Sequence, residues 1–233
     1  MSLRLPAALS RPFAARKGMI AGIAKVFAII VALPLVLTPV YSVVPPVSTL
    51  MLWSGLTGKG MTRDWTPIEN IAPALVNSIV MTEDGQYCSH SGVDWNALND
   101  VLDREGGPSR GASTIAMQTA KNLFLWPSRS YIRKGLEIPL AYYLDFVLSK
   151  RRVMEIYLNI AEWGPGLFGA EAAAQHYFKK PASKLTAREA ALLTAALPNP
   201  ITRNPAKPTR YLQNRARTIQ ARARAARDYV GCI

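Results

Sequence analysis

Between Val26 and Val44 the chain runs for nineteen residues without a charge, VFAIIVALPLVLTPVYSVV. Such a run is long enough to cross the hydrocarbon core of a bilayer as a helix. Arg4, Arg11, Arg16, Lys17 and Lys25 precede it with no acid among them. That asymmetry predicts a cytoplasmic N-terminus and export of everything after the run. Pro34 and Pro39 predict kinks, which a bilayer tolerates. No A-x-A-like cleavage site follows, so the run reads as an uncleaved signal-anchor rather than a signal peptide. A buried core helix rarely runs this long without a polar face. The expected organisation is a cytoplasmic tail at 1–17, a transmembrane signal-anchor at 18–44 and a connector at 45–65. An exported core at 66–200 and a basic helical segment at 201–233 complete it.

The net charge of +13 is unevenly spread. Apart from the N-terminal cations, most of it lies in 201–233, where Arg203, Lys207, Arg210, Arg215, Arg217, Arg222, Arg224 and Arg227 face only Asp228. Residues 26–200 are nearly neutral, with one local excess: Lys121, Arg129, Arg133, Lys134, Lys150, Arg151 and Arg152 against Glu137 and Asp145. Charged residues make up 18% and hydrophobic ones 49%, which excludes a disordered chain. Two cysteines exclude a disulfide scaffold or a Cys-rich zinc module. Cys88 and Cys232 face an oxidising compartment if the core is exported, and a bond and two free thiols both stay open. The C-terminal arginines do not keep to one face and have no aromatic stacking platform, so no nucleic-acid partner is expected. Anionic lipid headgroups suit them better.

After the connector, which reads as irregular and Pro/Gly-punctuated, the periodicity is helical. Thr66-Pro67-Ile68-Glu69 has the form of a capping box with Pro at the first helical position. Pro73 opens a helix with Leu75, Ile79 and Val80 at helical spacing. Asp94 caps WNALNDVLD, and a further helix starts near Ser113. Ser149 caps KRRVMEIYLNIAEW, which Gly164-Pro165 is expected to stop. Thr186 and Glu189 form another capping box before the stop at Pro198. No alternation long enough for a sheet is present, so the fold class is mainly α.

Five local patterns carry chemistry. Glu83 and Asp84 end a helix, where the macrodipole disfavours negative charge, and burial there would raise a carboxyl toward general-base duty. Gly111-Ala112-Ser113-Thr114 opens a helix in the manner of an anion or sugar site, with Gln118 and Lys121 on one face. Arg133 and Glu137, four apart, read on their own as a surface ion pair. Glu155-Ile156-Tyr157-Leu158-Asn159 and Ala190 through Pro200 read mainly as packing helices, with Tyr157 and Leu158 in the core.

In this order the patterns resemble glycosyltransferase family 51, the transglycosylase domain of penicillin-binding proteins. Glu83 through Gly92 fits E-D-x-x-[FY]-x-x-H-x-G, and Gly111 through Asn122 fits G-x-S-T-I-x-x-Q-x-x-K-N. Arg133 through Glu137 fits R-K-x-x-E, and Glu155 through Asn159 fits E-x-Y-L-N. Tyr87 stands where Phe is commoner, and Met117 where many members have Gln. The resemblance covers about 66–200, and with no transpeptidase domain it implies the monofunctional, biosynthetic kind. It implies a lysozyme-like helical fold and inverting polymerisation of lipid II into β-1,4 glycan strands, with release of undecaprenyl pyrophosphate. Glu83 would be the general base and Glu137 the second catalytic glutamate, the latter orienting the cations or holding a divalent cation (Mg2+ or Mn2+). Asp84, Ser113, Gln118, Lys121, Asn122, Arg129, Arg133 and Lys134 would bind substrate. Lipid II, the growing strand and membrane lipids are the implied partners, with other cell-wall synthases or division proteins as candidates. The implied location is the bacterial inner membrane, with the catalytic domain periplasmic. The rival is a glycan-cleaving enzyme of similar fold. Cleavage needs an acid for the glycosidic oxygen and has no use for a cation cluster sized to a pyrophosphate.

Overall fold

A computed structural model of the protein describes residues 11–103, 113–128 and 130–233. It is mainly helical. Helix α1 (Arg11–Val40) leads into α2 (Thr49–Leu56) and strand β1 (Thr62–Arg63), and a 3-10 turn at Ile68–Asn70 precedes α3 (Pro73–Glu83). Helices α4 (Trp95–Leu102), α5 (Ile115–Phe124), α6 (Tyr131–Val147) and α7 (Lys150–Ile160) follow. Strands β2 (Glu162–Gly164) and β3 (Leu167–Phe168), then α8 (Ala170–Phe178), α9 (Ala187–Ala196) and α10 (Arg210–Ala223), complete the chain.

Local capping chemistry starts most of these helices. Asp94, Ser149 and Thr186 accept from the amides of Ala97, Arg152 and Glu189, and Glu189 reaches back to complete the expected box. Thr114 and Ser130 cap α5 and α6 in the same way. Helix α3 starts at Pro73, and its Leu75, Ile79 and Val80 are fully buried among Tyr87, Met154, Tyr157 and Leu193. It packs on α9 and α10. A second layer joins α5, α6 and α7 around Met117, Leu144, Ile156 and Ile160.

Four expectations are corrected. The connector 45–65 is not irregular: Ser48 caps α2 through the Met51 amide, Met51 is fully buried, and β1 pairs in parallel with β3. Thr66 caps nothing, because Asn159 takes both its amide (2.8 Å) and its carbonyl (2.9 Å) while Glu69 pairs with Arg151. Helix α7 stops at Ile160 because Glu162–Gly164 joins β3 in a small three-stranded sheet. That sheet escaped the periodicity because its strands are two or three residues long.

Cys88 and Cys232 are bonded, with Cα atoms 5.6 Å apart, which ties the loop after α3 to the C-terminal residues. Among the described residues no helix is long and apolar enough to cross a membrane. The charge-free run is helical only from Val26 to Val40, about 22 Å at 1.5 Å per residue. The hydrocarbon core is about 30 Å thick.

Candidate active site

The last residue of α3 is Glu83, and the next, Asp84, is its C-cap. These neighbouring acids have different surroundings. Asp84 is buried and fully engaged: Oδ2 accepts from the Ile115 amide at 2.9 Å, and Oδ1 lies 2.8 Å from His90 Nε2. It fastens the end of α3 to the start of α5. The same loop ends at Gly92, whose φ of +78° and whose place against α6 both require glycine: a Cβ there would lie 2.6 Å from the Ala141 carbonyl oxygen. The Gly92 carbonyl accepts from Thr114 Oγ1 at 2.6 Å, a second tie between the loop and the cap of α5.

Among the described residues Glu83 receives one side-chain hydrogen bond, from Gln118 Nε2 at 3.1 Å. Burial raises its carboxyl above the ordinary glutamate range, against the opposing pull of Gln118, Arg215 and Lys121, while Asp84 adds to the rise. Gln118 is oriented from behind by Tyr157, whose buried hydroxyl donates to Oε1 at 3.3 Å, leaving the amide nitrogen for Glu83. Tyr157 and Arg215 are neighbours of Glu83, among the described residues, that the motifs did not bring to it. Tyr157 reads as core because it is core. Arg215 sits on α10, flanking the apolar stripe Leu212, Ala216 and Ile219, and its Nε is buried without a hydrogen-bond partner.

Next to Glu83 opens a cleft of about 490 Å³, lined by Ser113, Gln118, Lys121, Ser130, Tyr131, Arg133, Lys134 and Glu137. Helix α5 presents Gln118 and Lys121 one turn apart. Burial lowers the Lys121 ammonium below the ordinary lysine range, and the charges of Arg133 and Lys134 add to this. Helix α6 presents Arg133, Lys134 and Glu137. The Arg133–Glu137 pair is not a surface ion pair: the glutamate side chain is 3% and the arginine 13% exposed. Glu137 Oε2 lies 2.9 Å from Lys134 Nζ, which also donates to Ser113 Oγ at 2.6 Å. Glu137 Oε1 and Arg133 Nε are 3.1 Å apart, yet each is buried without an aligned hydrogen bond. Asn122 is buried and away from the cleft lining; its carbonyl accepts from Thr49 Oγ1. Arg129 lies outside the described residues, as do Gly111 and Ala112.

The residues present do not fit a divalent cation held by Glu137. Both carboxylate oxygens face protein cations, and among the described residues no three His, Cys, Asp or Glu side chains stand together. A hard cation collects oxygen ligands, and here Glu137 is the one acid in the lining.

A buried carboxylate beside a cation-lined cleft is the layout of an enzyme that moves a group off an anionic donor. The comparisons agree in kind. A family model described as transglycosylase matches residues 52–224, and the chain belongs to that family. It is 61% identical over 213 residues to the biosynthetic peptidoglycan transglycosylase of Brucella suis biovar 1 (strain 1330), covering 90% of this chain and 95% of that one. It is 59% identical over 205 residues to the protein of the same name from Agrobacterium fabrum (strain C58 / ATCC 33970), covering 86% and 91%. The protein so named from Rhodopseudomonas palustris (strain HaA2) is 55% identical over 202 residues, 85% and 89% of the two chains.

Proposed function

We propose that this transglycosylase polymerises lipid II into β-1,4-linked glycan strands for the bacterial cell wall. The observation that carries the proposal is Glu83, a largely buried carboxylate with a raised pKa and, among the described residues, a single side-chain donor, beside a cleft walled by Lys121, Arg133 and Lys134. The acceptor's 4-hydroxyl oxygen attacks the anomeric carbon of the donor. The new C1–O bond forms as the bond from C1 to the undecaprenyl pyrophosphate oxygen breaks, on the opposite face, so the anomeric centre inverts. The hydroxyl proton passes to Glu83. The leaving pyrophosphate needs charge neutralisation rather than a proton, and the cations of α5 and α6 supply it. Glu137 holds Arg133 and Lys134 at the cleft until phosphate oxygens replace it.

Helix α1 anchors the enzyme beside a substrate whose lipid tail stays in the bilayer. Val26, Ile29, Ile30, Leu33 and Val36 are exposed along it, a surface suited to lipid. The basic residues before its charge-free part, Arg4, Arg11, Arg16, Lys17 and Lys25, favour a cytoplasmic N-terminus with the cleft on the other side. The decisive assay feeds fluorescent lipid II to the purified protein and follows polymer on a gel. Glu83→Gln should retain its circular dichroism spectrum and lose about 10²–10⁴ in rate, the contribution typical of a positioned base. A variant that still polymerised normally would remove Glu83 from this role, and digestion of finished strands without polymer would make the enzyme lytic.

A further inference from the structure

The last turns of α1 lack main-chain donors that the catalytic domain then supplies. Proline has no N–H. Pro39 therefore leaves the Leu35 carbonyl of α1 without the amide four residues on that would close a helical turn, and Pro45 can offer none to the Tyr41 carbonyl in the turn just past the helix end. Both are capped from a distance. Tyr143 of α6 donates its hydroxyl to the Leu35 oxygen at 2.8 Å. Arg152 of α7 donates Nε to the Tyr41 oxygen at 2.8 Å and Nη2 to the Val44 oxygen at 3.1 Å. Arg63 donates to the Pro46 carbonyl in the same way. Around these bonds the contact is packed. Pro34 and Thr38, one turn apart, are buried. Tyr41 stacks on Phe124 at 6.2 Å, and the Arg152 and Arg63 guanidiniums lie 5.2 and 5.6 Å from the Trp65 ring.

A loose tether would need none of these contacts. We infer that the carbonyl caps from Tyr143 and Arg152 lock the anchor helix and the catalytic domain into one rigid unit, so that the lipid bilayer sets the height and tilt of the cleft. The bilayer's contact surface is the uncovered side of α1, with Ile29, Ile30, Leu33 and Val36. Phe146, 87% exposed one turn beyond Tyr143, extends it onto α6. A lock of this kind also explains how a helix with only about 22 Å of charge-free length serves as an anchor: its end is held against α6 rather than left to span alone. Tyr143 and Arg152 are positioning residues, since neither lines the cleft. The inference rests on the reading of α1 as a membrane anchor.

The test uses the full chain in phospholipid vesicles with spin labels at Ala32→Cys and Lys184→Cys, both exposed positions; the native cysteines are bonded to each other and stay unlabelled. The interlabel distance distribution should be narrow in the otherwise wild-type protein and broad when Arg152→Met and Tyr143→Phe are combined. Polymerisation of vesicle-embedded lipid II should fall by about fivefold or more, the worth of one net hydrogen bond or better. Turnover of a short-chain, water-soluble analogue in detergent should stay unchanged, which also shows that the variant is folded. An unaltered distance width, or equal losses on both substrates, would overturn the lock. Pro39→Ala added to Tyr143→Phe restores an amide to Leu35 but not the bond to α6. Recovery of the narrow distribution by that pair would reduce Tyr143 to a carbonyl cap and also overturn the proposal. A label at Ala32 relaxed by a water-soluble nickel chelate in vesicles would sink the anchor reading, and with it the bilayer's part, independently of the distance widths.

Discussion

On the α3 and α5 side of the cleft, each group that touches the base is itself held. Gln118 is oriented by buried Tyr157, and the helix carrying Gln118 is fixed at its start by Asp84 and Thr114. On the α6 side the cations are held mainly by one another's counter-ion. Arg133 and Lys134 share Glu137, and the turn that carries them also exposes Tyr131 and Ile132. The first wall suits a proton acceptor, whose geometry must be right before the substrate arrives. The second would suit a large anionic leaving group, since Arg133 Nε is buried without an aligned acceptor. The base wall is preorganised by the fold, whereas on the proposed mechanism the cation wall would be completed by the substrate.

Lys121 is the one cation of the cleft lining that stands on the rigid wall. Its charge acts on both partners: it favours ionised Glu83, and it faces the space assigned to the pyrophosphate. Lys121→Met should cost about 10²–10³ in kcat, comparable to removing a preorganised donor. Arg133→Met on the adaptable wall should show more of its loss in KM. Steady-state kinetics on lipid II separates the two, and equal kcat losses at both positions would erase the distinction between the walls.

Arg215 acts on Glu83 from α10. Its charge lowers the Glu83 pKa, whereas burial, the larger effect, raises it. As the proposed general base Glu83 would act ionised, so kcat/KM should fall as pH drops through the raised pKa. Arg215→Gln removes part of the opposing pull and should move that acidic limb to higher pH while leaving the high-pH plateau nearly intact. A pH–rate profile with an unmoved limb and a lowered plateau would instead make Arg215 a substrate contact. The same shift bears on stability. A carboxyl raised on folding takes up protons relative to the unfolded chain, so stability is lost as pH rises from the ordinary glutamate value through the folded one. Glu83→Gln should therefore melt at a higher temperature than wild type at neutral pH.

Much of the cleft was legible in the chain because it is local. Gln118 and Lys121, and Arg133 and Glu137, sit three or four apart on single helices, and that spacing fixes their shared faces whatever the tertiary fold. Asp94, Ser149 and Thr186 were legible as caps for the same reason, since a cap binds an amide only two or three residues away. What sequence spacing could not show depends on distant partners. Arg215 meets Glu83 across 132 residues of sequence. Cys88 pairs with Cys232, and β1 finds β3, across gaps of 144 and about 100 residues. Thr66-Pro67-Ile68-Glu69 misled because Asn159, far along the chain, claims the Thr66 backbone before a helix can form. Glu137 looked like a surface residue because an i, i+4 pair carries no information about what lies above it.

The smallest effect belongs to Tyr157, and it tests whether the base wall is as rigid as its contacts suggest. Its hydroxyl makes a long bond, 3.3 Å, to the Gln118 carbonyl oxygen. Tyr157→Phe removes the bond and keeps the ring, which is 1% exposed, so packing in the core is preserved. The Gln118 amide is then free to turn over and present oxygen instead of nitrogen to Glu83. Glu83 would lose its one side-chain hydrogen bond part of the time, and its pKa would rise further. The expected result is a fall of about fivefold at most in kcat/KM at neutral pH, the worth of one net hydrogen bond. The acidic limb should move in the same direction as for Arg215→Gln, and KM for lipid II should stay unchanged. Loss in KM alone would show that Gln118 serves the substrate directly, and that the order of the base wall comes from the substrate as it does across the cleft.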